Sequence, residues 1–170
     1  MSLRYALLGL LSERPASGYD LLKRFDTALA DVWPATQSQI YTELSRLADA
    51  GMIGVTAEGP RGRKEYTLTG EGLAELQHWL TGTTPQRNTR SDILLRVFFL
   101  GVLTPEQARG YLAGLAELSE QGGEDLRVLA EGIDWGGDSL SVYGRIALEY
   151  GLRFNAMRRE WAEWAVGQIP

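Results

Sequence analysis

The sequence predicts a mainly α-helical protein that carries one short β-hairpin in its first half. Apolar residues recur at helical spacing over most of the chain, capping motifs open several of these segments, and one stretch alternates with a period of two. The chain has 170 residues, of which 44% are hydrophobic and 23% charged, a composition typical of folded proteins. This length allows one ordinary domain, or a small domain joined to an oligomerisation module.

Composition disfavours several classes of function. The chain has no cysteine, which excludes disulfides, thiolate metal sites and cysteine nucleophiles. Its one histidine, His78, cannot assemble a metal site or a catalytic triad, and the loop between Asp134 and Asp138 matches no cation-binding spacing, so we expect no metal, no cofactor and no enzyme activity. No apolar run reaches about 18 residues and the N-terminus lacks the features of a signal peptide. We therefore expect a cytoplasmic protein without membrane contact.

The N-terminal segment predicts three helices in succession. The first covers about residues 2–12 and stops before Pro15, and the second starts at the capping pair Ser17 and Asp20. The third has a marked start, a buried stripe and a marked stop. These markers are the capping box Thr36-x-x-Gln39, the apolar residues Ile40, Leu44 and Leu47, and Gly51.

A change of period follows the third helix. Residues 52–57 and 65–68 alternate like two strands, and residues 58–64 between them are turn-forming and basic, which predicts a β-hairpin. Thr69 then caps a fourth helix. A helix-turn-helix pair followed by a two-stranded wing is the winged-helix arrangement.

The outer face of the third helix predicts contact with DNA. A winged helix places the second helix of its helix-turn-helix pair in the major groove. Here that helix presents hydrogen-bonding side chains. None of Gln37, Ser38, Tyr41 and Thr42 is acidic, and a carboxylate at such a place would be repelled by phosphates. A solvated polar helix face fits the same pattern equally well. The predicted DNA-contacting residues of this helix are Thr36, Gln37, Ser38, Tyr41, Thr42 and Arg46.

The tip of the hairpin favours the DNA hypothesis over a solvated turn. Arg61, Arg63 and Lys64 lie within four residues, where they can follow a phosphate backbone or enter a minor groove. The net charge of −5 argues the other way, since residues 1–84 carry 8 Lys or Arg against 10 Asp or Glu. DNA contact therefore depends on this local patch, which the acidic Glu65 weakens.

Several motifs in order carry a family resemblance. They are Ala6-Leu7-Leu8-Gly9-Leu10-Leu11, Ser17-Gly18-Tyr19-Asp20, Trp33-Pro34-Ala35-Thr36, Gln39-Ile40-Tyr41-x-x-Leu44-x-x-Leu47-x-x-x-Gly51 and Gly62-Arg63-x-x-Tyr66-x-Leu68-Thr69-x-x-Gly72. Residues 3–80 thus resemble the PadR family of bacterial transcriptional regulators. The resemblance implies a homodimer that binds a palindromic operator, usually as a repressor, and in many members release by a small aromatic or drug-like ligand. It also implies that Tyr41, Arg63 and Lys64 touch DNA.

The second half predicts helices only. Residues 92–101 are nearly continuously apolar, which predicts a buried helix, and Thr104-Pro105 opens another that ends near Gly132. The last helix carries an unbroken heptad stripe. Residues 104–132 are an available partner for it, but a dimer seam is the better prediction because a palindromic operator needs a two-fold reader. The predicted dimerisation residues are Leu140, Tyr143, Ala147, Tyr150, Phe154, Met157, Trp161 and Trp164.

Four aromatic residues of this stripe raise a ligand hypothesis. Tyr150, Phe154, Trp161 and Trp164 are suited to wall a flat pocket for an aromatic effector, although core packing is the favoured alternative.

Together these patterns divide the chain into two domains at the polar stretch 81–86. We expect a winged-helix DNA-binding domain at residues 1–84 and an all-helical dimerisation and effector domain at residues 85–170. The alternative is a winged-helix module that binds proteins and never touches DNA, which the acidic net charge favours.

Overall fold

The computed structural model describes residues 2–28, 35–59, 63–85, 91–137 and 139–170. The chain divides into two compact units, Met1–Gln86 and Arg87–Pro170. In order, the elements are α1 (Ser2–Leu11), β1 (Ala16–Ser17), α2 (Gly18–Ala28), α3 (Gln37–Asp49), β2 (Ile53–Gly59), β3 (Arg63–Leu68), α4 (Gly70–Gly82), α5 (Asp92–Phe98), a 3₁₀ turn (Leu100–Val102), α6 (Pro105–Gly132) and α7 (Ser139–Val166). The predicted fold class, mainly helical with a winged helix-turn-helix, is confirmed.

The first unit is built around the apolar faces of α1, α2 and α3. Their fully buried side chains include Leu7, Leu21, Phe25, Ile40 and Leu44. The predicted markers of α3 are confirmed: its capping box is complete, and Gly51 follows the helix with a φ of 70°. A positive φ of this kind carries little steric cost only for glycine, so the chain reverses here toward the hairpin.

The sheet has three antiparallel strands in the order β1-β3-β2: β2 and β3 form the predicted two-stranded wing, and β1 was not predicted. The additional strand is β1, which pairs Ala16 with Tyr66 and Ser17 with Glu65. Two residues are too few to show an alternating pattern, and only the tertiary fold brings them beside β3. As a result, the base of the wing is joined to the start of α2.

The wing is also tied to α4 through the backbone of Met52. The Thr69 hydroxyl donates toward the carbonyl oxygens of Gly51 and Met52, at 2.8 Å and 2.9 Å. The same hydroxyl caps α4 by accepting the Gly72 N–H at 3.1 Å. Gly72 is buried, and a Cβ at this position would overlap the Met52 carbonyl oxygen. The close approach of α4 to the wing therefore requires glycine at this position.

The second unit is dominated by the long antiparallel pair α6 and α7. Asn155 of α7 lies against Gly122 of α6, and Leu126 of α6 lies against Gly151 of α7. The glycines let the two helices approach closely at these points. One end of the pair is sealed by a core whose buried residues are Leu100, Ala108, Leu112, Leu115, Ala162 and Ala165.

The prediction that residues 92–101 form a buried helix is wrong for the isolated chain. Only Ile93, Val97 and Leu100 pack against the core of the second unit. The other apolar residues of this segment are exposed, Phe98 by 82% of its surface. The apolar composition of this segment indicates that it packs against another surface, but composition alone does not show whether that surface belongs to the same chain. None of the helices in the described ranges combines the length and apolarity needed to cross a bilayer.

Candidate nucleic-acid interface

Helix α3 presents its predicted polar face to solvent. Its buried side is fixed by Ile40, Leu44 and Leu47, because these residues pack into the core of the first unit. All six predicted DNA-contacting residues on and beside the helix are exposed: Thr36, Gln37, Ser38, Tyr41, Thr42 and Arg46. The structure therefore places them on one surface, with no apolar element of the described chain covering it.

These side chains differ in how far they are already engaged. Thr36 is committed to the capping box, its Oγ1 accepting the Gln39 N–H at 3.3 Å while Gln39 Oε1 accepts the Thr36 N–H at 2.9 Å. Gln37, Ser38 and Thr42 make no side-chain hydrogen bond within the described ranges. Their donors and acceptors are therefore available to base edges or phosphates.

Arg46 is paired with an acidic neighbour that the sequence reasoning left out. Its Nη1 lies 3.4 Å from Glu43 Oε2, and the side chains are exposed by 72% and 20%, respectively. The signal was present in the sequence, since an acid and an arginine three residues apart on a helix are neighbours. Glu43 lowers the positive potential that Arg46 brings to this surface.

Tyr41 makes a tertiary contact with α2. Its ring lies against Gly18 at the start of α2, so that a Cβ on Gly18 would come within 2.6 Å of Tyr41 Cε1. Burial raises the pKa of the Tyr66 hydroxyl on β3 above its ordinary value, and Tyr41 makes a smaller contribution in the same direction. Tyr41 nevertheless keeps 38% of its surface exposed.

The wing carries the second group of predicted DNA contacts. Lys64 is exposed on β3 and stands opposite Glu58 of β2 in the register, with the acidic Glu65 next to it. Arg63 opens β3 and pairs with Gly59 in the register. The third predicted cation, Arg61, lies outside the described residues. The register therefore adds a second acid, Glu58, to the Glu65 already noted from the sequence.

Apart from Trp161, the described side chains of the predicted dimerisation stripe of α7 do not pack against α6. The residues of α7 that contact α6 include Gly151, Asn155 and Ala162, each one position away from a stripe residue and therefore on an adjacent face. Six of the predicted stripe residues are exposed: Tyr143, Ala147, Tyr150, Phe154, Met157 and Trp164. Trp161 is half-buried and packs against the core of the second unit. The side chain of Leu140 is not among those that the structure describes.

An open cleft of about 490 Å³ lies at the other end of α7 from the core of the second unit. It is lined by Trp135, Arg145, Ile146, Leu148 and Glu149, and none of the four predicted effector residues is among them. Trp135 is held firmly, since its indole N–H donates to the Ala130 carbonyl at 2.8 Å. The Arg145 guanidinium lies over its ring, 5.6 Å from the centroid.

Two known transcriptional regulators match more than half of the chain. The negative transcriptional regulator PadR of Bacillus subtilis is 39% identical over 110 residues, which are 62% of this chain and 60% of the relative. A probable transcriptional regulator of Mycobacterium tuberculosis is 35% identical over 98 residues, 55% of this chain and 52% of the relative. These matched segments thus span less than two thirds of either relative.

Solved structures match the chain over nearly its full length. Bacillus subtilis PadR in complex with p-coumaric acid is 30% identical, covers 99% of both chains and has a TM-score of 0.87. The same protein in complex with operator DNA is 29% identical, covers 100% of both chains and has a TM-score of 0.84. The Vibrio cholerae virulence activator AphA, 24% identical over 98% of this chain and 96% of its own, has a TM-score of 0.81 and shares the fold.

The fold and the exposed α3 face define a winged-helix regulator with a helical second unit. Residues 7–78 match the Transcriptional regulator PadR-like family, and residues 89–169 match the family described as Virulence activator alpha C-term. The chain belongs to the PadR-like family of transcriptional regulators, as its sequence motifs predicted.

Proposed function

We propose that the protein is a transcriptional repressor that binds a palindromic operator as a homodimer, with α3 in the major groove and the wing on the flanking backbone. The observation that carries this proposal is the set of polar side chains on α3 that have no partner in the described chain, Gln37, Ser38 and Thr42. Such side chains read base edges, whereas the cations of the wing neutralise phosphates. The setting is the cytoplasm, where the operator is accessible.

The relatives support this assignment. Bacillus subtilis PadR is a negative transcriptional regulator and has been solved with operator DNA. The present chain aligns with that DNA-bound structure over the whole of both chains. The proposed DNA-contacting residues are Thr36, Gln37, Ser38, Tyr41, Thr42, Arg46, Arg61, Arg63 and Lys64.

Dimerisation is assigned to the exposed stripe of α7. A run of exposed aromatic residues at heptad spacing favours packing against a second long helix, and α6 already occupies a different face. A two-fold dimer would present two copies of α3 to half-sites about one helical turn of DNA apart. A monomer would contact only one half-site, so its affinity for the operator would be lower than that of the dimer.

An aromatic effector is the second part of the proposal. Bacillus subtilis PadR has been solved with p-coumaric acid, a planar aromatic acid. In this chain, Tyr150, Phe154, Trp161 and Trp164 are the proposed effector-binding residues, and the cleft at Trp135 and Arg145 offers a second aromatic surface beside a cation. The effector would change operator affinity by favouring a dimer in which the two α3 helices no longer match both half-sites.

A protein-binding winged helix is the alternative function, and a specific observation favours it. Acidic residues border the proposed interface on both sides, Glu43 on α3 and Glu65 on the wing, in a chain of net charge −5. In that case the exposed α3 face would bind a protein rather than DNA.

The deciding experiment is capture of sheared genomic DNA from the source organism by the purified protein at two salt concentrations, followed by sequencing. Recovery of an inverted repeat that survives the higher salt supports the repressor. The triple variant Arg61→Ala, Arg63→Ala, Lys64→Ala should bind DNA more weakly. The slope of log binding constant against log salt concentration should become shallower by about 3. The matched control, Arg96→Ala, Arg127→Ala, Arg153→Ala, removes three exposed cations from the second unit. Equal loss in both triple variants, or no recovered repeat, would favour the protein-binding alternative.

A further inference from the structure

The contact between Tyr41 and Gly18 sets the direction of the tyrosine. A Cβ on Gly18 would lie 2.6 Å from Tyr41 Cε1, 3.1 Å from Cζ and 3.2 Å from the hydroxyl oxygen. The polar edge of the ring is therefore the edge held against the N-terminus of α2. Tyr41 belongs to α3, but its hydroxyl lies beside the first residue of the preceding helix of the helix-turn-helix pair.

We propose that Tyr41 contacts the sugar-phosphate backbone of the operator and does not read a base, and that Gly18 is the positioning residue that holds its hydroxyl there. This inference rests on the proposed DNA-binding function and assigns a role within it. The base edges are then contacted by Gln37, Ser38 and Thr42, whose side chains make no hydrogen bond within the described ranges.

The geometry of a helix-turn-helix supports a backbone contact. In this motif the second helix enters the major groove while the first helix crosses the backbone. The Tyr41 hydroxyl lies at Gly18, the first residue of α2, which is the crossing helix. A phenol at that place can donate a hydrogen bond to a phosphate oxygen, and phosphate contacts fix register without carrying sequence information.

Only glycine leaves room for this arrangement. The ring edge occupies the position of the Gly18 Cβ, and distances under 3.0 Å require the neighbour to move. The backbone of Gly18 is held in place, because Gly18 is buried and β1 beside it is paired with β3 at Tyr66, so the partly exposed Tyr41 ring is the group that has to move. An alanine at Gly18 would therefore turn the Tyr41 ring outward and displace its hydroxyl.

The test measures operator affinity for the wild type, Tyr41→Phe, Gly18→Ala and the double variant, on a panel of operators with single base-pair substitutions. Tyr41→Phe keeps the ring and removes the hydroxyl, so we expect about a tenfold loss of affinity that is the same for every operator. The salt dependence should stay unchanged, since a neutral donor releases no counterion. Gln37→Ala, in contrast, should lose discrimination at one base pair.

Gly18→Ala should show a similar uniform loss in the wild-type background and little further loss in the Tyr41→Phe background. Gly9→Ala is the matched control, because a Cβ at Gly9 meets no atom within 4 Å. Urea unfolding of each variant separates a folding defect from a binding defect.

The outcomes separate this inference from the function on which it rests. A wild type without sequence-specific binding would overturn the proposed function and this role together. Specific binding by the wild type combined with unchanged affinity in Tyr41→Phe, or with a loss confined to one base pair, would overturn the backbone role alone. Additive losses in the double variant would remove Gly18 as the positioning residue.

Discussion

Arg46 and Glu43 form a salt bridge on the exposed face of α3, with Arg46 Nη1 3.4 Å from Glu43 Oε2. Glu43 thus brings an acid to the surface proposed to face DNA. Opposite charges one turn apart partly neutralise each other, and a carboxylate near the phosphates of bound DNA would repel them. We therefore expect the pair to limit the affinity for DNA.

Replacing Glu43 with glutamine should strengthen DNA binding. The change removes one negative charge and releases Arg46 to contact a phosphate, so we expect a several-fold higher affinity for operator and for nonspecific DNA alike. Fluorescence anisotropy at several salt concentrations measures both. Glu124→Gln is the control, because Glu124 forms a comparable salt bridge with Arg127 on α6, at 2.7 Å. A weaker complex in Glu43→Gln would mean that Glu43 accepts a hydrogen bond from a base.

Gln37 should determine preference at a single base pair. It is exposed in the first turn of α3 and has no side-chain partner in the described ranges, so it is free to make a bidentate contact with adenine. Gln37→Ala should cost about 1–3 kcal/mol on the preferred operator and much less on an operator changed at that position. Competition binding across a base-pair panel checks this, with Gln77→Ala on the surface of α4 as the control. A uniform loss would instead assign Gln37 to the backbone.

A charge on the α7 stripe should break the dimer. Phe154 is exposed and stacks on Tyr150, with ring centroids 6.1 Å apart, in the middle of the proposed interface. Phe154→Glu would bury a carboxylate there, so sedimentation should show monomers and the affinity for a palindromic operator should collapse to that of a half-site. Ala156→Glu adds the same charge on an exposed position that faces neither α6 nor the stripe, and should remain dimeric. A dimeric Phe154→Glu variant would place the interface elsewhere.

Gly72→Ala should destabilise the first unit. The added methyl group would collide with the Met52 carbonyl oxygen, which also accepts the Thr69 hydroxyl, so α4 would have to move away from the wing. We expect a loss of about 1–3 kcal/mol in the free energy of unfolding, measured in urea. Gly70→Ala, two residues earlier, meets no atom within 4 Å and should be neutral or slightly stabilising. Equal stability of the two variants would contradict the close approach.

Variants of the two aromatic surfaces of the second unit should distinguish where an aromatic acid binds. If the effector binds the α7 stripe, Trp164→Leu should abolish the release of operator by p-coumaric acid. If it binds the cleft, Trp135→Leu and Arg145→Met should do so, because Arg145 supplies the cation beside the indole ring. Titration of operator complexes with p-coumaric acid distinguishes them, and its neutral amide tests the role of the charge. If p-coumaric acid still releases the operator from all three variants, neither surface is the effector-binding site.

Local patterns determined the helices and the hairpin of the first unit because these elements carry their own signals. The capping box of Thr36 and Gln39, the buried stripe of α3 and the glycine at position 51 specify a helix and both its ends within the sequence itself. The same holds for α6, whose predicted start at Thr104-Pro105 and end near Gly132 are confirmed. Family membership followed from the order of such motifs.

Only the tertiary structure decided which residues meet across elements. No local rule brings β1 beside β3, seats Tyr41 on Gly18 or brings Gly72 against Met52, because each contact joins residues far apart in the chain. The sequence showed that α7 has an apolar heptad stripe, whereas the fold showed that α6 uses the adjacent face. Helical periodicity reports which residues avoid water, and the choice of partner depends on the three-dimensional packing of the whole unit.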